Sequence, residues 1–351
     1  MPLPIAPPYA PMECTQSERI PDGAQWSYEP KWDGFRCIAF RDGGDVYLQS
    51  KSAQPLARYF PEVVEKLLNL KARRFVIDGE LMIERGENLD FDALLQRIHP
   101  ADSRVKMLAI ETPATYVVFD ILADDAGNDV TGLPLRERRV LLEEFAKKYF
   151  TDGINLSPAS AERKVVDEWF SQVGNALDGV VAKRNDLPYA SGTRGAAIKI
   201  KHLRTADCVI GGYRLNKDKS GVGSLLLGLY DGDGLLHHVG FTSGFTTRDR
   251  SPLLKRLREI ERAPGFTGRS PGGPSRWKST EEPWFPVIPK LVIEVQYDHV
   301  TAERFRHGTR VLRWRTDKAP RQCTLDQIYI AEAASPLQLL TPKLALNHGI
   351  S

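Results

Sequence analysis

Lys31 is placed where its side chain could act as a nucleophile. A lysine amine attacks phosphorus only when it is neutral, and its reference pKa of about 10.4 makes that form scarce near pH 7 unless burial or neighbouring cations disfavour the ammonium. The flanking residues are aromatic or β-branched with partial alternation, as in a strand: Trp26, Tyr28, Trp32, Phe35, Ile38 and Phe40. Asp33 and Gly34 interrupt the run like a tight turn. The pattern predicts a lysine at a strand end, where a phosphate can approach the backbone closely. A surface lysine before an Asp-Gly hairpin is the alternative.

Carboxylates and an aromatic residue stand near the ends of other apolar runs. Glu80 follows the buried run 75–77, and a carboxylate there can bind ribose hydroxyls or a metal-bound water. Phe119 ends the apolar run 115–119, where it could stack on a base. Asp178 precedes a further strand-like run that ends at Lys183. Taken singly, these residues also fit turns and core positions.

Lys199 and Lys201 alternate with isoleucines, so both side chains project from one face of the predicted strand 198–201. Two adjacent positive charges could hold an α-phosphate and lower the pKa of a nearby lysine. A half-exposed strand with solvated lysines is the structural alternative. The chemistry therefore depends on whether these residues and Lys31 converge.

Composition favours a globular protein with a polyanionic partner. The chain has 351 residues, 26% charged and 42% hydrophobic, which predicts two domains with proper cores. The net charge is only +3, but basic residues concentrate in 183–204 and 304–321. No long apolar segment accompanies them, so a polyanion suits these clusters better than a membrane. A solvated surface would give the same pattern.

Cysteine spacing and the N-terminus predict a cytoplasmic protein. The four cysteines contain no C-x-x-C pair, which argues against a zinc module and a disulfide scaffold: Cys14, Cys37, Cys208 and Cys323. Prolines in residues 1–8 interrupt any signal-peptide core, so this segment is interpreted as an extended lead-in.

Residues 26–201 alternate strand-like and helical runs. Helical periodicity covers four segments: 61–70, 91–98, 135–149 and 161–174. No G-x-G-x-x-G follows a strand and no G-x-x-x-x-G-K-[ST] exists. We therefore expect an α+β domain with largely antiparallel sheets.

The pattern of predicted secondary structure changes after about residue 205. Short apolar strands alternate with Gly and Asp turns, which predicts a small β-barrel or sandwich. The expected strands are 208–210, 225–230, 235–241 and 291–295, interrupted by a helix at 251–262 and a Pro/Gly-rich loop at 264–274. The predicted domains are residues 1–203 and 204–334, followed by a C-terminal tail, 335–351.

In their order and spacing, these residues resemble the motifs of the ATP-dependent DNA ligases. This family belongs to the covalent nucleotidyltransferases, which also include RNA ligases and mRNA capping enzymes. The resemblance covers residues 26–325, and the small bacterial ligase C type is the subgroup it resembles. It implies an α+β nucleotidyltransferase domain with antiparallel sheets, followed by an all-β OB-fold barrel domain.

The first motif of the family resembles the segment around the candidate nucleophile. Lys31 and Asp33 match its catalytic lysine and aspartate. Glu29 and Pro30 precede them on the adenine side, and Arg36 follows near the ribose.

The middle motifs match with two conservative changes. Lys51 stands where the family usually has arginine, which keeps the charge without bidentate phosphate binding. Glu80 resembles the carboxylate of the third motif, and Phe119 resembles the adenine-stacking aromatic. Asp178 replaces the usual glutamate before Lys183. The resemblance implies that Glu80 and Asp178 bind Mg²⁺ or Mn²⁺.

The last two motifs supply cations for the phosphates. Lys199 and Lys201 resemble the paired lysines that hold the α-phosphate. Arg313, Asp317 and Lys318 resemble the motif that orients pyrophosphate from the second domain, which implies a hinge near residues 202–205.

The implied reaction consumes ATP. The lysine forms a lysyl-adenylate, the adenylate passes to the 5′-phosphate of nicked double-stranded DNA, and the 3′-hydroxyl displaces AMP. We expect a monomer acting in DNA repair, with a small footprint and a steep salt dependence. RNA ligases, GTP-using capping enzymes and a catalytically inactive nucleic-acid-binding protein remain alternatives. An NAD-dependent ligase is disfavoured, because the chain lacks the cysteines of its zinc module.

Overall fold

The computed structural model describes residues 3–86, 88–173, 177–272, 283–329 and 336–340. Contacts divide the chain into two compact units, one of residues 1–202 with 332–351 and one of residues 203–331. Residue 174 of the predicted helix, residues 273 and 274 of the predicted loop, and residues 335 and 341–351 of the predicted tail lie outside the described residues.

The described residues of the first unit form ten strands and five α-helices. Its strands are β1 (Glu13–Ser17), β2 (Trp26–Pro30), β3 (Phe35–Asp42), β4 (Asp45–Ser50), β5 (Arg74–Arg85), β6 (Asn88–Leu89), β7 (Ala114–Ala123), β8 (Ile154–Leu156), β9 (Gly179–Arg184) and β10 (Arg194–Lys201). Its helices are α1 (Pro61–Asn69), α2 (Phe91–Arg97), α3 (Asp102–Glu111), α4 (Leu135–Tyr149) and α5 (Arg163–Val173).

Local signals explain where the predicted helices begin. Pro61 occupies the first turn of α1, where its missing N–H costs nothing, and Val63 and Leu67 bury one face of that helix. The Asp90 side chain caps α2 by accepting a 2.9 Å hydrogen bond from the Ala93 N–H. Periodicity and capping thus place these helices close to their predicted bounds.

Two sheets form the frame of the first unit. One has the order β1-β10-β9-β2, and the other has the order β4-β3-β5-β7-β8 with β6 on β5. The pairs β1/β10 and β7/β8 are parallel and the remaining pairs are antiparallel. Tyr28 of the first sheet and Val117 of the second share one hydrophobic core, so the two sheets pack face to face.

The second unit is mainly β. Its elements are β11 (Arg204–Leu215), β12 (Val222–Tyr230), β13 (Leu236–Thr242), α6 (Thr247–Arg258), β14 (Phe285–Pro286), β15 (Val292–Tyr297), β16 (Val300–Thr301), β17 (Arg304–Phe305) and β18 (Arg310–Trp314). The main sheet has the order β13-β12-β11-β15-β18, with β14 on β11, and every pair in it is antiparallel. A single bridge between Thr242 and Thr309 links the two edges, so the described strands form an open sheet and not a fully paired barrel. None of the described helices is long and apolar enough to span a bilayer.

Candidate active site

A cavity of about 510 Å³ lies in the first unit, and most of the predicted site residues meet there. It is lined by cations, carboxylates and the aromatic side chains of Trp32 and Phe119, as a site for a charged nucleotide would require. The predicted residues that line it are Glu29, Pro30, Lys31, Arg36, Lys51, Glu80, Phe119, Lys183 and Lys199. Asp33, Asp178 and Lys201 also belong to this unit but are not among the lining residues.

Lys31 directly follows β2, as the sequence pattern predicts. Its backbone N–H donates a 2.9 Å hydrogen bond to the Gly179 carbonyl, which fixes the lysine against the start of β9. Its Nζ forms an ion pair with Asp178, and the two side chains are only 21% and 8% exposed. Asp178 therefore does not line the cavity itself but contacts Lys31, which does.

Gly34 is required by close packing and not by its φ angle. A Cβ on Gly34 would lie 2.2 Å from the Leu81 carbonyl oxygen, which no side chain could tolerate. The absence of a side chain lets the chain bend after Lys31 and enter β3 directly against β5. The chain bends at Gly34 where a tight turn was predicted, and the glycine there has a packing role.

The pKa of Lys31 differs from the expectation of a lowered value. Burial acts to lower it, but the charge and hydrogen bond of Asp178, with smaller contributions from Asp33 and Glu80, raise it above its ordinary value. The amine is therefore held as an ammonium in this state. Lys199 shows the opposite direction, because burial and the charges of Lys201 and Lys31 lower its pKa.

Two cations lie close to the Phe119 ring. Lys183 Nζ is 4.5 Å and Arg36 Cζ is 4.6 Å from the centre of its ring. Lys183 also forms a 2.8 Å ion pair with Glu29, and both side chains are almost fully buried. Glu29 and Phe119 are thereby fixed on one side of the cavity.

Arg36 is held by a network that the sequence did not reveal. Its guanidinium donates bidentate hydrogen bonds of 2.6 and 2.5 Å to Asp78, which is completely buried. The Tyr189 hydroxyl donates to the same carboxylate at 2.6 Å and accepts a 2.9 Å hydrogen bond from the Met12 N–H. A buried aspartate needs such donors, but only the folded chain brings Tyr189 to it.

Glu80 has the most perturbed carboxyl group of the cavity. Burial raises its pKa from 4.5 to about 7, although Arg36 and Lys31 act in the other direction. Because its pKa is close to neutral pH, the half-buried Glu80 carboxyl group can bind a ligand as a carboxylate or take up a proton.

Two cavity lysines have no ion-pair partner within the described part of the chain: Lys51, just after β4, and Lys199, on β10. The other cavity cations are neutralised by carboxylates. An anion entering the cavity would therefore find these two charges uncompensated.

The N-terminal segment contributes residues that the sequence interpretation missed. Residues 11–16 line the cavity, and β1 pairs in parallel with β10. Glu13 forms a 2.7 Å ion pair with Arg194 at this edge. Arg194 belongs to the basic run 183–204, and this run was the available signal that it could bind an anion. No pattern in residues 11–16 predicts a strand.

The remaining predicted residues lie in the second unit. Arg313 forms a 2.5 Å ion pair with Glu294 and is 66% exposed. Lys318 forms a 2.7 Å ion pair with Asp207, whose carboxylate also accepts hydrogen bonds of 2.8 and 2.9 Å from Arg315. Arg315 in turn pairs with Asp317 at 2.8 Å. Asp207 and Arg315 were not predicted, and together they fix the positions of Lys318 and Asp317.

Comparison with known families decides what this site belongs to. Residues 11–201 match the ATP dependent DNA ligase domain, and residues 218–318 match the ATP dependent DNA ligase C terminal region. The chain belongs to the ATP-dependent DNA ligases. The first match spans the residues that line the cavity, and the second includes Arg315, Asp317 and Lys318.

Relatives of this ligase agree with that assignment. It is 44% identical over 340 residues to DNA ligase C1 of Mycolicibacterium smegmatis, covering 93% of this chain and 96% of the relative. It is 30% identical over 300 residues to the multifunctional non-homologous end joining DNA repair protein LigD of Mycobacterium tuberculosis, covering 85% of this chain and 37% of that protein. The predicted family and its DNA ligase activity are confirmed.

The ligase fold is also found among solved structures. A Lig E DNA ligase structure is 17% identical, has a TM-score of 0.55, and is matched over 87% of this chain and 99% of its own. At that identity the likeness shows the fold alone. The prediction of an α+β domain followed by a β domain of the OB-fold type is confirmed.

Proposed function

We propose that this DNA ligase forms its lysyl-adenylate on Lys31 and seals nicks between a 5′-phosphate and a 3′-hydroxyl in double-stranded DNA. The observation that carries the proposal is the position of Lys31 in the cavity, beside two uncompensated lysines. A nucleophilic amine next to unneutralised positive charge is what attack on a nucleotide phosphate requires.

The cavity residues divide by the part of ATP that they suit. Glu29 and the Phe119 ring suit adenine, as a hydrogen-bond acceptor and a stacking surface, and Lys183 and Pro30 support them. Arg36 suits the ribose side. Lys51, Lys199 and Lys201 are assigned to the phosphates, where they stabilise the charge that grows on the oxygens during displacement.

The proton on Lys31 sets the order of events. The ammonium must first give up a proton. The neutral Nζ then attacks the α-phosphorus, and the bond to the leaving pyrophosphate breaks with its electron pair on the pyrophosphate oxygen. Asp178 accepts the hydrogen bond of the ammonium, so its carboxylate is in position to take that proton or hand it to water. Asp33 acts on the same ammonium as a second nearby negative charge.

A divalent metal ion fits the carboxylates available. The described residues hold no cluster of three or more acidic, histidine or cysteine ligands, but Mg²⁺ usually takes one or two carboxylates with substrate phosphates and water. Glu80 and Asp178 both act electrostatically on Lys31 and would hold Mg²⁺ or Mn²⁺. The ion would supply positive charge to the α-phosphate.

The second unit is assigned to the pyrophosphate end of the reaction. Arg313, Asp317 and Lys318 would orient the leaving group during adenylation, with residues 1–203 as adenylation domain and 204–334 as OB domain. We further propose that it is a cytoplasmic monomer. A role in DNA repair is proposed from the name of the LigD relative.

Covalent labelling tests the proposal. The protein is incubated with ATP labelled at the α-phosphate and Mg²⁺, and the adenylated fraction is measured. Wild type and Lys106→Ala, which changes an exposed lysine of α3, should label equally, whereas Lys31→Ala should not label. Labelling of Lys31→Ala would rule out the assigned nucleophile. Sealing should require a 5′-phosphate at the nick, and GTP should not replace ATP.

A further inference from the structure

Glu13 and Arg194 form an ion pair at the edge of the cavity. Their residues are partners in the β1/β10 pairing, and the Arg194 Nε lies 2.7 Å from the Glu13 carboxylate. The Glu13 side chain is 30% exposed and that of Arg194 is 67% exposed. Both residues line the cavity.

The Glu13 carboxylate lies in the field of three cations. The hydrogen bond and charge of Arg194, and then the charges of Lys51 and Lys199, hold its pKa below the ordinary value. Neither Lys51 nor Lys199 forms an ion pair with a carboxylate within the described ranges. One carboxylate thus stands where three positive charges converge, which is an environment suited to a phosphate.

This pair differs from the other ion pairs of the cavity. The partners of Arg36 and Lys183, which are Asp78 and Glu29, are buried and fixed. Arg194 instead projects toward solvent, and exposed ion pairs are weak and exchange readily. A phosphate also offers a guanidinium the same bidentate geometry as a carboxylate does.

The backbone that carries Glu13 is fixed. The Glu13 N–H donates a 3.0 Å hydrogen bond to the Thr193 carbonyl, and the Ser191 hydroxyl donates a 2.8 Å hydrogen bond to the Ala10 carbonyl. Only the side chain is therefore free to leave Arg194, and the strand pairing can persist while it does so.

We propose that Glu13 is a positioning residue. Its carboxylate holds Arg194 at the cavity edge until a phosphate takes the place of that carboxylate on the guanidinium. The phosphate belongs either to the nucleotide, beyond its α-position, or to the 5′-end at the nick. This inference rests on the proposed nucleotide-binding role of the cavity. The inference predicts that the Glu13 carboxylate competes with the phosphate for Arg194. Glu13 therefore weakens the binding of the nucleotide or DNA that carries this phosphate.

Binding without turnover tests the competition. Calorimetry measures the affinity of wild type and Glu13→Gln for α,β-methylene-ATP and AMP. In the absence of divalent metal, fluorescence anisotropy measures binding of nicked duplexes with a 5′-phosphate or a 5′-hydroxyl. Glu18→Gln, which removes a charge from an exposed residue outside the cavity lining, is the matched control.

We expect Glu13→Gln to tighten one binding reaction by about two- to five-fold, the range that loss of an exposed ion pair allows. Tightening confined to the triphosphate analogue assigns the nucleotide as the source, and tightening confined to the 5′-phosphorylated nick assigns the DNA. In Arg194→Gln the added Glu13→Gln change should have no effect on either ligand.

Unchanged or weaker binding of both ligands by Glu13→Gln, relative to Glu18→Gln, would overturn the inference. A thermal unfolding temperature equal to that of wild type shows that the variant is folded. If wild type still forms the adenylate on Lys31 in that case, only the role of Glu13 fails. If no adenylate forms on Lys31, the proposed function fails first.

Discussion

The ammonium of Lys31 forms an ion pair with the carboxylate of Asp178, a residue 147 positions later in the chain. The carboxylate comes immediately before β9, and the lysine immediately after β2, so pairing of these two strands brings them together. The proposed nucleophile is thus held in its unreactive, protonated form. Its activation depends on what loosens this contact.

Asp178→Asn should lower the pKa of Lys31 below its ordinary value. The substitution removes the largest influence that raises the pKa and leaves burial, which lowers it. Trace acetylation of Lys31, followed by mass spectrometry across a pH series, measures the change. Asp178→Glu keeps the charge and is the matched control. A titration of Lys31 that is the same in Asp178→Asn as in wild type would contradict the ion pair as the cause.

Glu80→Gln should stabilise the protein at pH 8 and have little effect at pH 5. The folded pKa of about 7 lies above 4.5, so the folded state binds more protons than the unfolded state between these values. The associated stability is fully present below 4.5 and is lost as the pH rises through 7. A shift of the pKa from 4.5 to about 7 corresponds to about 3 kcal/mol in the free energy of unfolding at pH 8.

Urea unfolding of both proteins from pH 5 to pH 8.5 provides the measurement for Glu80. Glu84→Gln, at an exposed position on the same strand, should give a difference that does not change with pH. A Glu80→Gln effect that is constant over the series would disprove the raised pKa. Adenylation should also decline in Glu80→Gln, because a proposed metal ligand is lost.

Asp120→Asn should destabilise the first unit by about 3–5 kcal/mol, because it leaves a buried arginine without its counter-charge. Asp120 accepts hydrogen bonds of 2.8 and 3.0 Å from Arg138, and both side chains are 1% exposed. Denaturant unfolding followed by tryptophan fluorescence measures the loss. Asp167→Asn, which breaks the exposed pair with Arg163 on α5, should cost less than about 1 kcal/mol. Equal losses in the two variants would refute the distinction.

Asp207→Asn should slow adenylation by ATP about ten- to a hundred-fold, since misplaced groups lower the rate by such factors. The carboxylate holds Arg315 and Lys318 together, and the neutral amide loses both ion pairs. Sealing of a nick that is already adenylated should be nearly unchanged, because no pyrophosphate leaves in that step. Asp233→Asn, in an exposed turn, is the control. Equal slowing of both steps would point to a general loss of structure instead.

Sequence patterns predicted the elements whose apolar residues share one face. Residues 135–149 are helical with the bounds that periodicity indicated, and the apolar run 115–119 lies in β7. Helix α3 was missed because its apolar residues do not keep to one side: Met107 and Ile110 are 46% and 83% exposed. The predicted helix 251–262 begins four residues earlier, at Thr247.

The types of the site residues were predictable, but their partners were not. The resemblance to the ligase motifs indicates that Lys31, Glu29 and Phe119 belong to one chemistry, although Phe119 lies within β7 and not at the strand end that the apolar run 115–119 predicted. It cannot show that Glu29 pairs with Lys183 or that Asp78 holds Arg36, because those contacts depend on sheet pairing between distant segments. The protonated state of Lys31 follows from such a contact.

Strand β1, near the N-terminal end of the described residues, pairs with β10, the last strand that lines the cavity. Met12 and Tyr189, 177 residues apart, are joined by a hydrogen bond, and β1 completes its pairing only when β10 exists. During synthesis on a ribosome, the cavity wall therefore cannot form before about residue 200 has emerged. Acquisition of nucleotide binding by a nascent chain would mark the moment at which the first unit has closed.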